Sequence, residues 1–156
     1  MTWQPGRDRI GELLDAGELE HVTADQRIAQ LLLGDASRHL ATSAAALSSE
    51  DLSGAYQLAY DALRKSAASL LAVQGLRATS RGGHVAVQKA DLAQFGSTVR
   101  AFRSFGRIRR ARNNFEYPST VTPGPFADDV TDAIATATHA HRAARTVLEQ
   151  DLLTAW

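Results

Sequence analysis

Alternation of apolar and polar residues at period two never persists along this chain, β-branched residues are sparse, and alanine and leucine dominate. That patterning leaves the helix as the building element, so the predicted fold class is all-α. Four long helices and one short N-terminal helix, joined by modest loops, are expected to pack as an antiparallel bundle. The 156 residues suit one domain, 1–156, large enough to bury a core without a covalent or metal staple.

A short helix is predicted over about 8–14, closing near Gly17. A second, over about 24–47, opens at "TADQ", where Thr23 and Gln26 have capping-box spacing, and turns Ile28, Leu31, Leu32, Leu40 and Leu47 inward. The third begins around "SSED", buries Tyr56, Ala59, Tyr60, Leu63, Ala67, Leu70 and Leu71 on one face, and stops at Gly75. "RATSRGGHVAV" has paired glycines and no helical period and reads as a loop. A fourth helix is predicted over about 88–114, burying Leu92, Phe95, Val99 and Phe102. Pro118, Pro123 and Pro125 then break the chain, and the last helix starts near Pro125 with Phe126, Val130, Ile134, Ala137, Ala144, Leu148 and Leu152 inward, reaching Trp156.

The absence of cysteine excludes thiolate zinc sites, thiol nucleophiles and disulfides. The five histidines form no His-Glu-x-x-His, and His139 and His141 point to different helix faces, so no metal site and no cofactor is predicted. No uncharged apolar run approaches the roughly 20 residues that cross a bilayer. The expectation is a soluble cytoplasmic protein without a membrane partner.

Seventeen basic residues balance seventeen acidic ones, so net charge does not argue for nucleic acid, but its distribution does. Asp8, Glu12, Asp15, Glu18, Glu20 and Asp25 stand at the start, whereas Arg100, Arg103, Arg107, Arg109, Arg110 and Arg112 crowd one later segment. Arg100, Arg103, Arg107 and Arg110 have the spacing of one helix face, about 80° from the predicted buried stripe, where a guanidinium can lay its stem on apolar atoms and present its fork to phosphate or carboxylate. With no acidic residue between Asp91 and Glu116, these arginines have no local partner in the sequence. The acidic stretch Glu12 to Asp25 is a distant source of one. The competing reading is a solvated face helped by cations near a helix C-terminus.

Three pieces of the chain, over about residues 25–150, resemble the HEPN domains (higher eukaryotes and prokaryotes nucleotide-binding): "AYQLAYDALRKSAASLLAVQGLR", "GGHVAV" and "RRARNNFEYP". The resemblance implies a small helical bundle that dimerises. Members with ribonuclease activity carry Arg, four to six residues, then His, often with Tyr two positions on. In metal-independent cleavage of that kind Arg would hold the scissile phosphate and His would move the 2′-hydroxyl proton. Aligned on Tyr117, the motif here has Arg110 as its arginine and Phe115 in place of histidine; aligned on Arg112 and Asn113, it has Tyr117 there. Neither register supplies a histidine. A tyrosine would need its pKa lowered from about 10 to act as a base.

The reading that follows is an RNA- or nucleotide-binding dimer using Arg103, Arg107, Arg110, Arg112 and Asn113, with little or no ribonuclease activity. A second is a ribonuclease toxin of a toxin–antitoxin or defence pair, in which His84 or Tyr117 substitutes for histidine beside Arg110 or Arg112. The resemblance also implies a possible nucleotidyltransferase partner that modifies Tyr117, against the simpler expectation that Tyr117 ends the helix and packs its ring on the bundle. A third reading is an interaction module whose arginines meet an acidic protein. Arg77 and His84 also have six residues between them, but across a loop. His141 is expected to be a satisfied, partly buried histidine, and Tyr56 and Tyr60 to be packing residues whose hydroxyls find partners.

Overall fold

The structure, a computed structural model, describes residues 3–156 and is mostly helical. Its elements in chain order are α1 (Arg7–Asp15), β1 (Leu19–His21), α2 (Gln26–Ser48), α3 (Leu52–Val73), β2 (Leu76–Ala78), α4 (Gly83–Phe95), α5 (Arg100–Arg103), α6 (Phe105–Glu116) and α7 (Ala127–Glu149). Among the described residues no helix is long and apolar enough to cross a membrane.

Helix α2 starts two residues later than the Thr23 and Gln26 pattern suggests, because Asp25 is the cap: its Oδ1 accepts from the amides of Arg27 and Ile28 at 2.7 and 3.2 Å. Asp51 does the same for α3, accepting from the Gly54 amide at 2.9 Å. The three-residue connection folds α2 and α3 into a hairpin. Their contact faces are built of small residues, Ala29, Ala36 and Ser43 against Ala55, Ala59 and Ala62, all buried. Such faces let the backbones approach, and Ser43 Oγ donates across to the Ala55 carbonyl at 2.6 Å. This choice of face overturns part of the expected stripe: Leu33 is buried, whereas Ile28 and Leu31 are 47% and 63% exposed.

Helix α3 is the centre of the molecule, with Tyr56, Tyr60, Leu63, Ala67, Leu70 and Leu71 buried as its period predicts. Helix α7 runs alongside it in the same direction. Asp129 and Asp132, early in α7, act electrostatically on Tyr56 at the start of α3, while beyond the other end of α7 the Trp156 amide donates to the Gln74 carbonyl just past α3. Against α2 it is antiparallel, with His141 Nε2 3.1 Å from the Leu33 carbonyl oxygen. At its start Asp129 accepts from the Phe126 amide at 2.8 Å, leaving Phe126 exposed rather than inward. The helix ends at Glu149 instead of reaching Trp156, Asp151 turning the chain with φ +50°, so Leu152 is exposed and Leu153 is buried in its stead.

The segment expected as a single helix over 88–114 is divided into α4, α5 and α6. Gly96, Ser97 and Thr98 are poor helix formers, and the Thr98 hydroxyl donates to the Phe95 carbonyl at 3.2 Å, competing with helix continuation. Val99 is extended, and a second irregularity falls at Ser104. Phe95, Val99 and Phe102 are buried as expected, but Leu92 is exposed.

The stretch read as a loop after α3 holds β2 and the start of α4. Strand β2 pairs antiparallel with β1, Glu20 facing Arg77, and those two side chains form an ion pair at 2.8 Å. Three-residue strands are too short to register as alternation. Gly75, which turns α3 into β2, has φ +70°, and a Cβ there would stand 2.8 Å from the Val22 carbonyl oxygen. Gly75→Ala is therefore expected to destabilise the fold by about 1–2 kcal/mol from the left-handed backbone alone, plus the clash, as read from the urea midpoint.

Candidate functional site

The six arginines do not share one face. The break at Ser104 and the inward turn of Phe105 and Ile108 set α6 so that its cations diverge. Arg107 reaches α7 and pairs with Asp132 at 2.9 Å. Arg100, Arg103 and Arg110 are exposed. Arg109 and Arg112 turn inward toward α3 and α4. Arg109 Nε donates to Gln88 Oε1 at 3.0 Å, and Arg112 Nε donates to Gln57 Oε1 at 2.8 Å. Arg112 also bonds Asn113 Oδ1 and forms an ion pair with Glu116, one helical turn on, at 2.8 Å. A local carboxylate partner thus exists after all. The N-terminal acids go elsewhere: Glu12 to Arg9, Glu18 to Lys89 and Glu20 to Arg77.

The inward pair meets a histidine. Tyr60 projects from α3 between α4 and α6, its ring edge-on to Phe105 at 6.1 Å. The Arg112 guanidinium carbon lies 5.7 Å from the centre of the same ring, close enough for cation–π attraction. The Tyr60 hydroxyl is 2.8 Å from Nδ1 of His84, in the first turn of α4. Arg64, one turn along α3, forms an ion pair with Asp61 at 2.9 Å. A histidine, a tyrosine and three guanidinium groups are thereby gathered from three helices.

Burial pushes the Tyr60 pKa up to about 12 against the opposing influence of Arg64, Arg109 and Arg112, so its hydroxyl stays protonated and serves as a hydrogen-bond partner rather than a base. Burial, followed by the Arg64 and Arg112 charges, holds His84 below the usual histidine value, with Asp61 opposing. His84 is therefore neutral near pH 7. When its proton is on Nδ1 and donated to Tyr60, Nε2 carries a free lone pair able to accept a proton.

Of the residues expected at the site, Arg112, Asn113 and His84 belong to this region, while Arg103, Arg107 and Arg110 do not converge on His84. Phe115, in the motif's histidine position, packs edge-on against Tyr56 with ring centres 4.9 Å apart. Tyr117 closes α6 and is 78% exposed, which corrects the expectation that it packs on the bundle. Arg77 faces Glu20 instead of completing a motif with His84. The sequence reading missed Arg64, Arg109, Gln57 and Gln88. The one available signal was that Gln57, Tyr60 and Arg64 recur at helical spacing on the edge of the α3 stripe.

Beside His84 lies a cavity of about 640 Å³ between the start of α2, α3, β2 and α4. Among the described residues no group of three or more His, Asp or Glu side chains could hold a metal ion. No family model matches the chain, and neither a curated protein nor a solved structure does.

Proposed function

We propose that this chain binds RNA or a nucleotide by its phosphate, at the face where Arg64, Arg109 and Arg112 surround the Tyr60–His84 pair. The observation that carries the reading is the 2.8 Å contact between Tyr60 and His84 beneath the Arg112 guanidinium. The remaining N–H groups of Arg109 and Arg112 suit phosphate oxygens, and Gln57 and Gln88 hold the two forks in place. Exposed Arg103 and Arg110 would add weaker, sequence-independent attraction along a strand. In this reading the HEPN resemblance, the dimer and the packing of four helical segments as a bundle remain part of the same proposal.

The second reading, metal-independent RNA cleavage, is favoured by one specific feature: a histidine stands beside the arginine cluster although the linear motif lacks one. His84 Nε2 would take the proton of a 2′-hydroxyl. That oxygen would attack the neighbouring phosphorus to give a cyclic phosphate, while the 5′ oxygen leaves and takes up a proton from solvent. Arg112 and Arg109 would stabilise the charge on the phosphoryl oxygens.

The test is incubation of a mixed RNA pool with the protein in EDTA, reading retention and cleavage from the same gel. Wild type is expected to retain RNA. Cleavage that is lost in His84→Ala with retention intact would establish the second reading; because His84 titrates below its ordinary value, that cleavage should be flat through neutral pH and decline only on acidification below the ordinary histidine range. The absence of both retention and cleavage with folded wild-type protein would overturn both readings.

A further inference from the structure

We propose that the 640 Å³ cavity beside His84 is a binding site for a small carboxylate with an apolar body, its head on Arg64 and, in the tautomer where Tyr60 donates to Nδ1, on the His84 Nε2–H, and its body among the aliphatic side chains behind them. The site shares these two residues with the phosphate face, but it rests on the cavity and not on RNA binding. Its size falls within the range of about 300–1,000 Å³ in which proteins hold small ligands. Its walls are aliphatic, with Val22, Leu32, Leu71, Leu76 and Val87 from five different elements or connections. No aromatic ring other than the His84 imidazole lines it, which disfavours a stacked nucleobase and favours an aliphatic or compact aryl body.

Charge complementarity decides the head group. Asp25 also lines the cavity, at the α2 end, where its Oδ1 accepts from two amides of the first turn and its charge faces the positive end of that helix. Arg77 at the rim is matched by Glu20. Arg64 gives Asp61 its Nε and one Nη donor and keeps its other terminal nitrogen, so the fork is half used. Around His84 the guanidinium groups of Arg64, Arg109 and Arg112 face the carboxylates of Asp61 and Glu116, so positive charge is in excess by one. The Arg64 end of the cavity thus offers a guanidinium nitrogen over an apolar interior, the arrangement that selects an amphipathic anion over a neutral or cationic analogue. Ile28, 47% exposed at the mouth, extends the apolar surface outward.

The experiment titrates decanoate, decanol and decyltrimethylammonium into the intact protein, below their aggregation concentrations, and follows amide chemical shifts and calorimetric heats. Saturable decanoate binding, with shifts centred on Leu71, Leu76 and Val87 and with both analogues roughly tenfold or more weaker, is the expected result; that ratio is the worth of one hydrogen bond to a charged group. Arg64→Gln should lower decanoate affinity by a similar factor and leave decanol unchanged. Ala68→Phe, which fills the cavity, should abolish both, and Arg64→Gln keeps the proposal testable if that variant does not fold. Equal affinity for decanoate and decanol, indifference to Arg64→Gln, or no saturable binding would overturn it. So would sedimentation showing a dimer that decanoate dissociates, since the cavity would then be a contact between copies.

Discussion

Replacing Asp91 by asparagine is expected to remove a fall in stability that wild type shows as pH rises. Asp91, in α4, is 0% exposed, and neither carboxylate oxygen has a hydrogen-bond partner among the described residues. Burial alone raises its pKa well above the ordinary aspartate value. Between about pH 4, where the unfolded chain releases this proton, and the raised folded value, the native state holds one proton more than the unfolded state. Stability from this group is complete below that window and declines through it as pH rises, by up to about 1.4 kcal/mol per pH unit. Asparagine keeps the side-chain size and has no proton to lose.

Other carboxylates act in the opposite sense. Asp35, held low by its hydrogen bonds to Lys65 and Arg38, stabilises the fold above its unfolded value, and that contribution disappears on acidification. The informative quantity is therefore the difference between Asp91→Asn and wild type, from urea unfolding at about pH 5 and about pH 8. The variant should gain on wild type as pH rises. A difference that stays constant would mean that Asp91 ionises normally in the folded protein.

The second large effect is expected at Arg112. Arg112→Ala should weaken single-stranded RNA binding by about ten- to a hundredfold, the size of one or two charge-assisted hydrogen bonds, and reduce the slope of log affinity against log salt by about one. Arg109→Ala should behave similarly, since its fork is also aligned by a glutamine amide. Arg103→Ala, on an exposed side chain, should cost about threefold or less, and Arg107→Ala should mainly release Asp132. Arg112→Lys is the discriminating variant: it keeps the charge but loses the planar fork and its hold on Gln57, so it should resemble alanine more than wild type. Circular dichroism and the urea midpoint of each variant separate loss of binding from loss of fold, because Arg112 also packs against Tyr60. If all six arginines contributed equally, the Tyr60–His84 face would not be the site.

Arg100, Arg103, Arg107 and Arg110 illustrate what linear spacing reports. Their helical phase assumed an unbroken helix; the break after Phe95 turns all four away from the expected stripe, and the irregularity at Ser104 separates Arg100 and Arg103 from Arg107 and Arg110. The determinants were visible as Gly96, Ser97 and Thr98, yet weak helix formers inside a long apolar pattern do not by themselves dictate where a helix ends. The histidine that the resemblance would place at position 115 is a similar case. Phe115 fills its place because that position faces Tyr56, while an imidazole reaches the arginine cluster from α4 instead.

By itself the sequence determined that the chain is helical, where α1 and α3 run and where α7 starts, and it marked Tyr56 and Tyr60 as buried and His141 as a partly buried, bonded residue. Those properties follow from period, caps and chain breakers, which act over a few residues. The tertiary structure alone decided that α2 turns Ala29 and Leu33 inward, that α7 lies parallel to α3, and that His84, Tyr60, Arg64 and Arg112 meet. Tyr60 and His84 are 24 residues apart, and Gln57 and Arg112 are 55 apart. Periodicity says which face of a helix is buried but not which other helix covers it, so a site assembled from three helices exists only once they have packed.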